Sequence, residues 1–303
     1  MERLIENACW ICGSLQSQPW KPRNLDRELV PDDLKITDAR YGLTLSLVRC
    51  PDCGFIFAEG GELAKLLSLY EELEDSGYEE GQESRRLQMS WLLKVLRKAA
   101  PEAKTLLDIG AGAGALIAEA NLRGWKTEGV EPSQALVATA QRLHSVGILQ
   151  GTYPHPKLSG HRFDAVCLID VIEHVPDPVA LLRACAEGME SNGRLMVVTP
   201  DVGSLAAKIL RHRWWHFRLA HVGYFDRRSL DRAAQAAGLH PIGFRRARWF
   251  FPVGYVAERL ERYLPVGFVN RMAKRIAPLA WLYERVIPVN PRDSMVVLYA
   301  RQP

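Results

Sequence analysis

Apolar positions recur along the chain in two rhythms. Between Ser84 and Ala99, Leu87, Trp91, Leu92, Val95 and Leu96 fall three or four residues apart. That spacing gives one apolar face to a helix, and Pro101 ends it. From residue 104 the pattern becomes short apolar run, glycine, helix, repeated. Lys104–Ile109, Lys126–Glu131, Gly147–Gln150, Phe163–Asp170 and Gly193–Thr199 read as strands. Ala115–Arg123, Ser133–Leu143, Pro178–Glu187 and Arg227–Ala237 read as helices. Strands alternating with helices predict an α/β fold, a mostly parallel sheet covered on both faces.

The ends of the chain read differently. Leu43-Thr-Leu-Ser-Leu-Val-Arg alternates as a strand should, and Phe55-Ile-Phe-Ala is placed to pair back against it. Near the other end, Val256, Leu260, Tyr263 and Leu264, then Phe268, Met272, Ile276, Leu279, Leu282 and Val286 lie among Arg and Lys. These predict two amphipathic helices inserted at about 250–290, before a late strand over Asp293–Arg301. The expected division is a small module at 1–60, a helical linker or lid at 61–103, and a main domain at 104–303.

Composition narrows the class. Of 303 residues, 48% are apolar and 24% charged, the balance of a globule with ample core. No apolar run reaches the roughly 20 residues of a membrane-spanning helix, and the opening Met1-Glu-Arg-Leu lacks the features of a signal peptide. The expected location is the cytoplasm, with the inner membrane face as a peripheral alternative. Residues 201–303 carry 18 Lys/Arg against 7 Asp/Glu, whereas residues 1–60 carry 7 against 9. The positive field therefore sits in the last third of the chain.

The most informative segment is Thr105-Leu-Leu-Asp-Ile-Gly-Ala-Gly-Ala-Gly. A strand ends near Asp108, and Gly110, Gly112 and Gly114 open the next helix, letting the backbone press against a ligand. A dinucleotide loop of similar pattern offers its helix N-terminus to a pyrophosphate. A carboxylate just before the glycines works against that anion and favours a cofactor with a cationic amino-acid end. Glu131, 23 positions after Asp108, is placed to accept hydrogen bonds from two ribose hydroxyls. Together they fit S-adenosylmethionine. A nicotinamide oxidoreductase is the distant alternative.

These motifs resemble those of class I S-adenosylmethionine-dependent methyltransferases. Leu107-Asp-Ile-Gly-Ala-Gly-Ala-Gly resembles the family's first motif and Val130-Glu-Pro-Ser its second. Phe163-Asp-Ala-Val-Cys-Leu-Ile-Asp resembles its fourth strand, and Gly193-Arg-Leu-Met-Val-Val-Thr-Pro its fifth. The resemblance implies a Rossmann-like sheet of seven strands whose last, Ser294-Met-Val-Val-Leu-Tyr-Ala, runs antiparallel. It implies that Asp170 lies near the methionine end of the cofactor. Where many members place an acid beside the adenine, this chain has Gly151-Thr152-Tyr153.

Cys9-Trp-Ile-Cys12 and Cys50-Pro-Asp-Cys53 supply four thiolates, which suits structural tetrahedral zinc in a small zinc ribbon. Some ribosomal RNA methyltransferases carry such a module, so RNA methylation is an alternative. The acidic balance of residues 1–60 argues against a nucleic-acid partner. A small-molecule or glycan acceptor, methylated on oxygen or carbon, fits better. The basic C-terminal helices suggest peripheral membrane contact and a lipid-linked or phosphorylated saccharide. His174, His216 and His221 are candidate bases, His221 foremost. Asp170, Glu173 and His174 resemble the acid-x-x-Glu-His pattern that holds a divalent metal in ubiquinone-pathway O-methyltransferases, where Mg²⁺ would sit. A catalytically silent cofactor-binding or zinc interaction module is the remaining alternative.

Overall fold

The computed structural model describes residues 8–35, 41–73, 81–261 and 277–302. At the N-terminal end, β1 (Gln18–Lys21), β2 (Leu47–Arg49) and β3 (Ile56–Ala58) form antiparallel neighbours. A 3₁₀ turn at Gly61–Lys65 leads into α1 (Leu66–Glu71), and α2 follows at Gln82–Ala99. The buried positions of α2 are Ser84, Gln88, Leu92, Leu93 and Leu96, one stripe at helical spacing.

The main domain then alternates. Its first elements are β4 (Thr105–Ile109), α3 (Ala115–Asn121), β5 (Lys126–Glu131), α4 (Gln134–His144) and β6 (Leu149–Gln150). Next come β7 (Phe163–Ile169), α5 (Pro178–Glu187), β8 (Met189–Pro200), α6 (Leu205–Leu210), β9 (Gly223–Tyr224), α7 (Arg227–Ala236) and β10 (Leu239–Arg246). The last elements are β11 (Trp249–Pro252), α8 (Val253–Leu260), a helix at Ala277–Glu284, β12 (Val286–Val289) and β13 (Ser294–Arg301).

Seven strands make one sheet in the order β10-β13-β8-β7-β4-β5-β6. Strands β4 to β8 are parallel, and β13 runs antiparallel to both β8 and β10. The reversed last strand is the one expected from Ser294-Met-Val-Val-Leu-Tyr-Ala. Central strands read as continuous apolar runs because helices cover both faces; Ala165 to Leu168 of β7 are all fully buried. Strand order reverses at β4, with β5 on one side and β7 on the other. The loops leaving those strands therefore splay apart and open a crevice at their C-terminal ends.

Three features differ from the sequence expectation. Leu239–Arg246 is a strand, hidden in the sequence by Arg245, Arg246 and a half-exposed alternation that suits a sheet edge. The insertion at 250–290 is held by a two-stranded ribbon, Trp249 opposite Val289 and Pro252 opposite Val286, with the helices beyond it. Tyr263, Leu264, Phe268, Met272 and Ile276 of the expected amphipathic faces lie outside the described residues. Finally, the module at 1–60 does not close on itself. Its β3 pairs with β9 of the main domain, Ile56 opposite Tyr224 and Phe57 opposite Gly223. Among the described residues no helix is long and apolar enough to cross a membrane.

Candidate active site

The crevice at the strand-order reversal is a cavity of about 820 Å³. Asp108, Gly110, Gly112, Glu131, Asp170 and His174 line it, so the fold gathers six of the expected residues around one space. Gly110 takes φ +71°, and a Cβ there would lie 2.5 Å from Val171 Cγ2. Only glycine fits both the dihedral and the gap. Its N–H and that of Ala111 donate to the Val130 carbonyl at 2.8 and 3.0 Å, stitching the loop to β5. Gly114 has a different role: it caps α3 and does not line the cavity. A Cβ on it would meet Val146 Cγ2 at 2.7 Å, so its absence lets the helix pack.

Glu131 is held before any ligand arrives. The Gly112 N–H donates to Oε2 and the Ser133 N–H to Oε1, each at 2.9 Å, and the Tyr70 side chain adds a further bond. Each oxygen keeps lone-pair capacity toward the cavity, the requirement for gripping two adjacent hydroxyls. Burial nonetheless pushes the Glu131 carboxyl up, against those hydrogen bonds. Asp108 is 3% exposed; burial, with the Glu131 charge adding, raises it to about 8. A buried acid poised in this way favours a cationic partner.

Asp170 follows β7 with φ +52°, a left-handed backbone that costs a non-glycine residue about 1–2 kcal/mol. Burial and the nearby Asp293 raise its carboxyl to about 7, while the Arg85 guanidinium works in the opposite direction. Arg85 and Arg86, together with Leu34, Leu66 and Met89, bring α2 and the N-terminal third of the chain to the cavity wall. None of these was singled out from the sequence. Their segments carry no motif, and only the chain path brings them here.

Behind His174 lies a second cluster. Nδ1 of His174 donates to the Ala220 carbonyl at 2.7 Å, a bond that leaves Nε2 without its proton. The His221 ring is 4.8 Å from that of His174, centroid to centroid, and nearly perpendicular to it. The His221 Nδ1 is buried without a hydrogen-bond partner among the described residues. Glu173 accepts from Thr199 Oγ1 at 3.0 Å through Oε2, and its Oε1 is also buried and unpartnered. One ligand atom from each of Glu173, His174 and His221 lies within 4.8 Å of the others.

This changes the expected metal set. His221, rather than Asp170, completes a group with Glu173 and His174, because the left-handed turn at Asp170 leaves its carboxyl on the cavity wall. His221 does not line the cavity, although His174 does. His216 Nε2–H donates to Asp293 Oδ2 at 3.0 Å, and His216 stands off the cavity as well. Burial lowers His174 to about 4 and takes His221 well below the usual imidazole range.

The four thiols of the N-terminal module also converge. Cys9 Sγ is 3.4 Å from Cys53 Sγ and Cys12 Sγ is 3.6 Å from Cys50 Sγ, with all four within 4.8 Å of one another. Each pair sits on a turn whose following glycine closes back by an N–H, Gly13 to the Cys9 carbonyl and Gly54 to the Cys50 carbonyl, both at 2.9 Å. Cys167 and Cys185 are fully buried and are not part of this group.

A doubly wound sheet with a reversed last strand, a glycine-bearing loop after its first core strand and an acid ending the second together define a nucleoside-cofactor-binding α/β protein. The family model described as Methyltransferase domain matches residues 81–242, more than half of the chain. The chain belongs to that family. It is 34% identical over 122 residues to a ubiquinone biosynthesis O-methyltransferase from Bradyrhizobium diazoefficiens, covering 39% of this chain and 44% of the relative. To the Serratia proteamaculans protein of that name it is 32% identical over 103 residues, covering 32% and 42%. The chain thus spans less than half the length of these curated relatives. The solved structure of the mitomycin 7-O-methyltransferase MmcR shares the fold, with a TM-score of 0.50 at 16% identity over 80% of this chain and 62% of that one.

Proposed function

We propose that the protein transfers the methyl group of S-adenosylmethionine to a hydroxyl or acidic carbon of a small-molecule or glycan acceptor. The observation that carries this reading is Glu131, locked by two backbone N–H groups beneath the glycine loop, in one cavity with the buried acid Asp108. Glu131 would bind the ribose hydroxyls and Asp108 the cationic amino-acid end of the cofactor. Asp170 would orient that end from the opposite wall. Leu34, Leu66 and Met89 line the same cavity and would exclude water around the acceptor. Methyl transfer is an in-line displacement at carbon, so holding acceptor and sulfonium in register supplies much of the acceleration.

The imidazoles fit ligands better than they fit a base. A general base acts best with a pKa near the working pH, and burial holds His174 at about 4. One ligand atom from each of Glu173, His174 and His221 instead lies within 4.8 Å of the others. Glu173, His174 and His221 would hold a divalent cation, which when bound lowers the pKa of an acceptor hydroxyl. Two nitrogen donors favour Mn²⁺ or Zn²⁺ over Mg²⁺, which prefers oxygen. The cysteine tetrad fits structural zinc, because bonds of ~2.3 Å in a tetrahedron place sulfurs about 3.8 Å apart.

Peripheral membrane contact has one specific support. Leu205 and Ile209, one helical turn apart on α6, are 71% and 68% exposed beside Lys208, Arg211 and Arg213, and Trp281 is 65% exposed on the insertion. Cosedimentation with phosphatidylglycerol vesicles, abolished by Leu205→Ser/Ile209→Ser, tests it. Calorimetric titration tests the main reading: S-adenosylmethionine should bind the purified protein, and an absence of binding would overturn the function.

A further inference from the structure

The segment Ala220–Tyr224 touches both halves of the molecule. On one side it holds the imidazole cluster: the Ala220 carbonyl accepts from His174 Nδ1 at 2.7 Å, His221 is in the segment itself, and the Val222 N–H donates to the Glu173 carbonyl at 2.8 Å. On its other side it is the fourth strand of the N-terminal sheet. The Ala58 N–H donates to the Val222 carbonyl at 2.8 Å, and Phe57 and Ile56 pair with Gly223 and Tyr224. Val222 is thus bonded through its N–H to the turn carrying Glu173 and His174, and through its carbonyl to β3.

Strand β3 is three residues long, too short to hold its place unaided. What fixes it is the turn joining it to β2, and that turn is the second cysteine knuckle. Cys50 N–H donates to the Phe55 carbonyl and Gly54 N–H to the Cys50 carbonyl, both at 2.9 Å. Phe55, fully buried, packs its ring 4.8 Å from Phe225, just past β9. A Cβ on Gly223 would meet Phe55 Cζ at 3.1 Å, so the strand and the ring are closely fitted. From α7, Arg232 Nη1 donates to the Asp52 carbonyl at 3.3 Å, inside the knuckle.

We propose that the four-cysteine module is a positioning element of the active site, which by adding β3 to β9 fixes Val222 and thereby the paired imidazoles of His174 and His221. Closing the tetrad sets the knuckle, the knuckle sets β3, and β3 sets the backbone that carries His221 and accepts from His174. The cofactor half of the cavity, built on β4 and β5, lies outside this chain of contacts. The turnover and cofactor-binding arms of the test below rest on the methyl-transfer reading; the tautomer arm does not.

The test uses the full chain with ¹⁵N-labelled histidine. In the wild-type protein, NMR should show His174 carrying its proton on Nδ1 and His221 held in a single tautomer. Ala58→Pro removes the N–H that reaches Val222, whereas Ala58→Gly keeps it. The proline variant should lose both fixed tautomers and drop kcat by about tenfold or more, with cofactor Kd within about twofold of wild type. The glycine variant should keep the wild-type signature. Fixed tautomers that survive in Ala58→Pro, or vanish equally in Ala58→Gly, would overturn the proposal. If Ala58→Pro fails to fold, the double variant Cys12→Ser/Cys53→Ser is read the same way: loss of the tautomers with cofactor binding intact supports the proposal, and their persistence overturns it. Failure of the wild-type protein to bind S-adenosylmethionine would sink the functional reading alone, leaving the tautomer result to stand or fall by itself.

Discussion

The two halves of the cavity are built in opposite ways. The cofactor half is local: Asp108, the glycine loop and Glu131 belong to a single strand–helix–strand unit, and Gly112 donates to Glu131 from only 19 positions away. The imidazole half is assembled from afar. Glu173 and His174 follow β7, His221 precedes β9, Asp293 precedes β13, and Ala58 reaches in from the N-terminal sheet. A local unit fixes ligand recognition with few tertiary contacts. A composite one makes its chemistry depend on how the whole chain is packed.

The largest effect expected from this contrast is on the cofactor side. Glu131→Ala removes two charge-assisted hydrogen bonds to a diol, each worth about 1.5–3 kcal/mol. S-adenosylmethionine affinity should therefore fall by about a hundredfold or more in calorimetry. His221→Ala should leave that affinity within about twofold, since distant sites act independently, while turnover falls. Equal losses of affinity in both variants would erase the distinction between the halves.

Phe55→Ala should come next. Emptying a fully buried phenylalanine site costs about 3–5 kcal/mol, read as a lower urea midpoint. If the composite half depends on packing, turnover at low urea should fall further than cofactor affinity does.

A pH dependence sharpens the local half. Asp108 stands at about 8 in the folded protein, against about 3.9 in an unfolded chain. The folded state keeps a proton that the unfolded state releases, so stability from this group falls as pH rises from about 4 to about 8 and is level beyond. Asp108→Asn should raise the melting temperature of the cofactor-free protein at about pH 9, with little change at about pH 4. Because a cationic ligand prefers the ionised acid, wild-type cofactor affinity should climb with pH until about 8.

The smallest effect concerns Asp170. Its left-handed φ of +52° is relieved in Asp170→Gly, which should be stabilised by up to about 1 kcal/mol in urea while turning over more slowly. A destabilised variant would mean that the Asp170 side chain makes contacts outweighing its backbone strain.

Legibility in the sequence followed the same division. Strands β4, β7 and β8 were readable because buried parallel strands are nearly unbroken apolar runs, β5 from its place between two helices, and the reversal of β13 from the family resemblance. Asp108 and Glu131 were readable because a tight turn against a nucleoside leaves glycines and acids at short spacing. Strand β10 was not, since an edge strand tolerates arginines. The placing of His221 beside Glu173 was not either, because 48 residues separate them and no periodicity records which loops meet at the end of a sheet. The cysteine pairs were legible as ligands, but their strand's partner, a two-residue stretch between Val222 and Phe225, carries no pattern of its own.

The ribbon of β11 and β12 has a consequence for how this chain tolerates change. The chain leaves the fold at Pro252 and re-enters it alongside at Val286, since Pro252 faces Val286 and Trp249 faces Val289. Replacing everything beyond the ribbon with a short hairpin turn would leave the β10–β13 pairing undisturbed. The excursion is therefore a graft on a stem, tied to the body where Tyr255 and Arg259 meet Tyr41, so an exchange must keep or replace that contact.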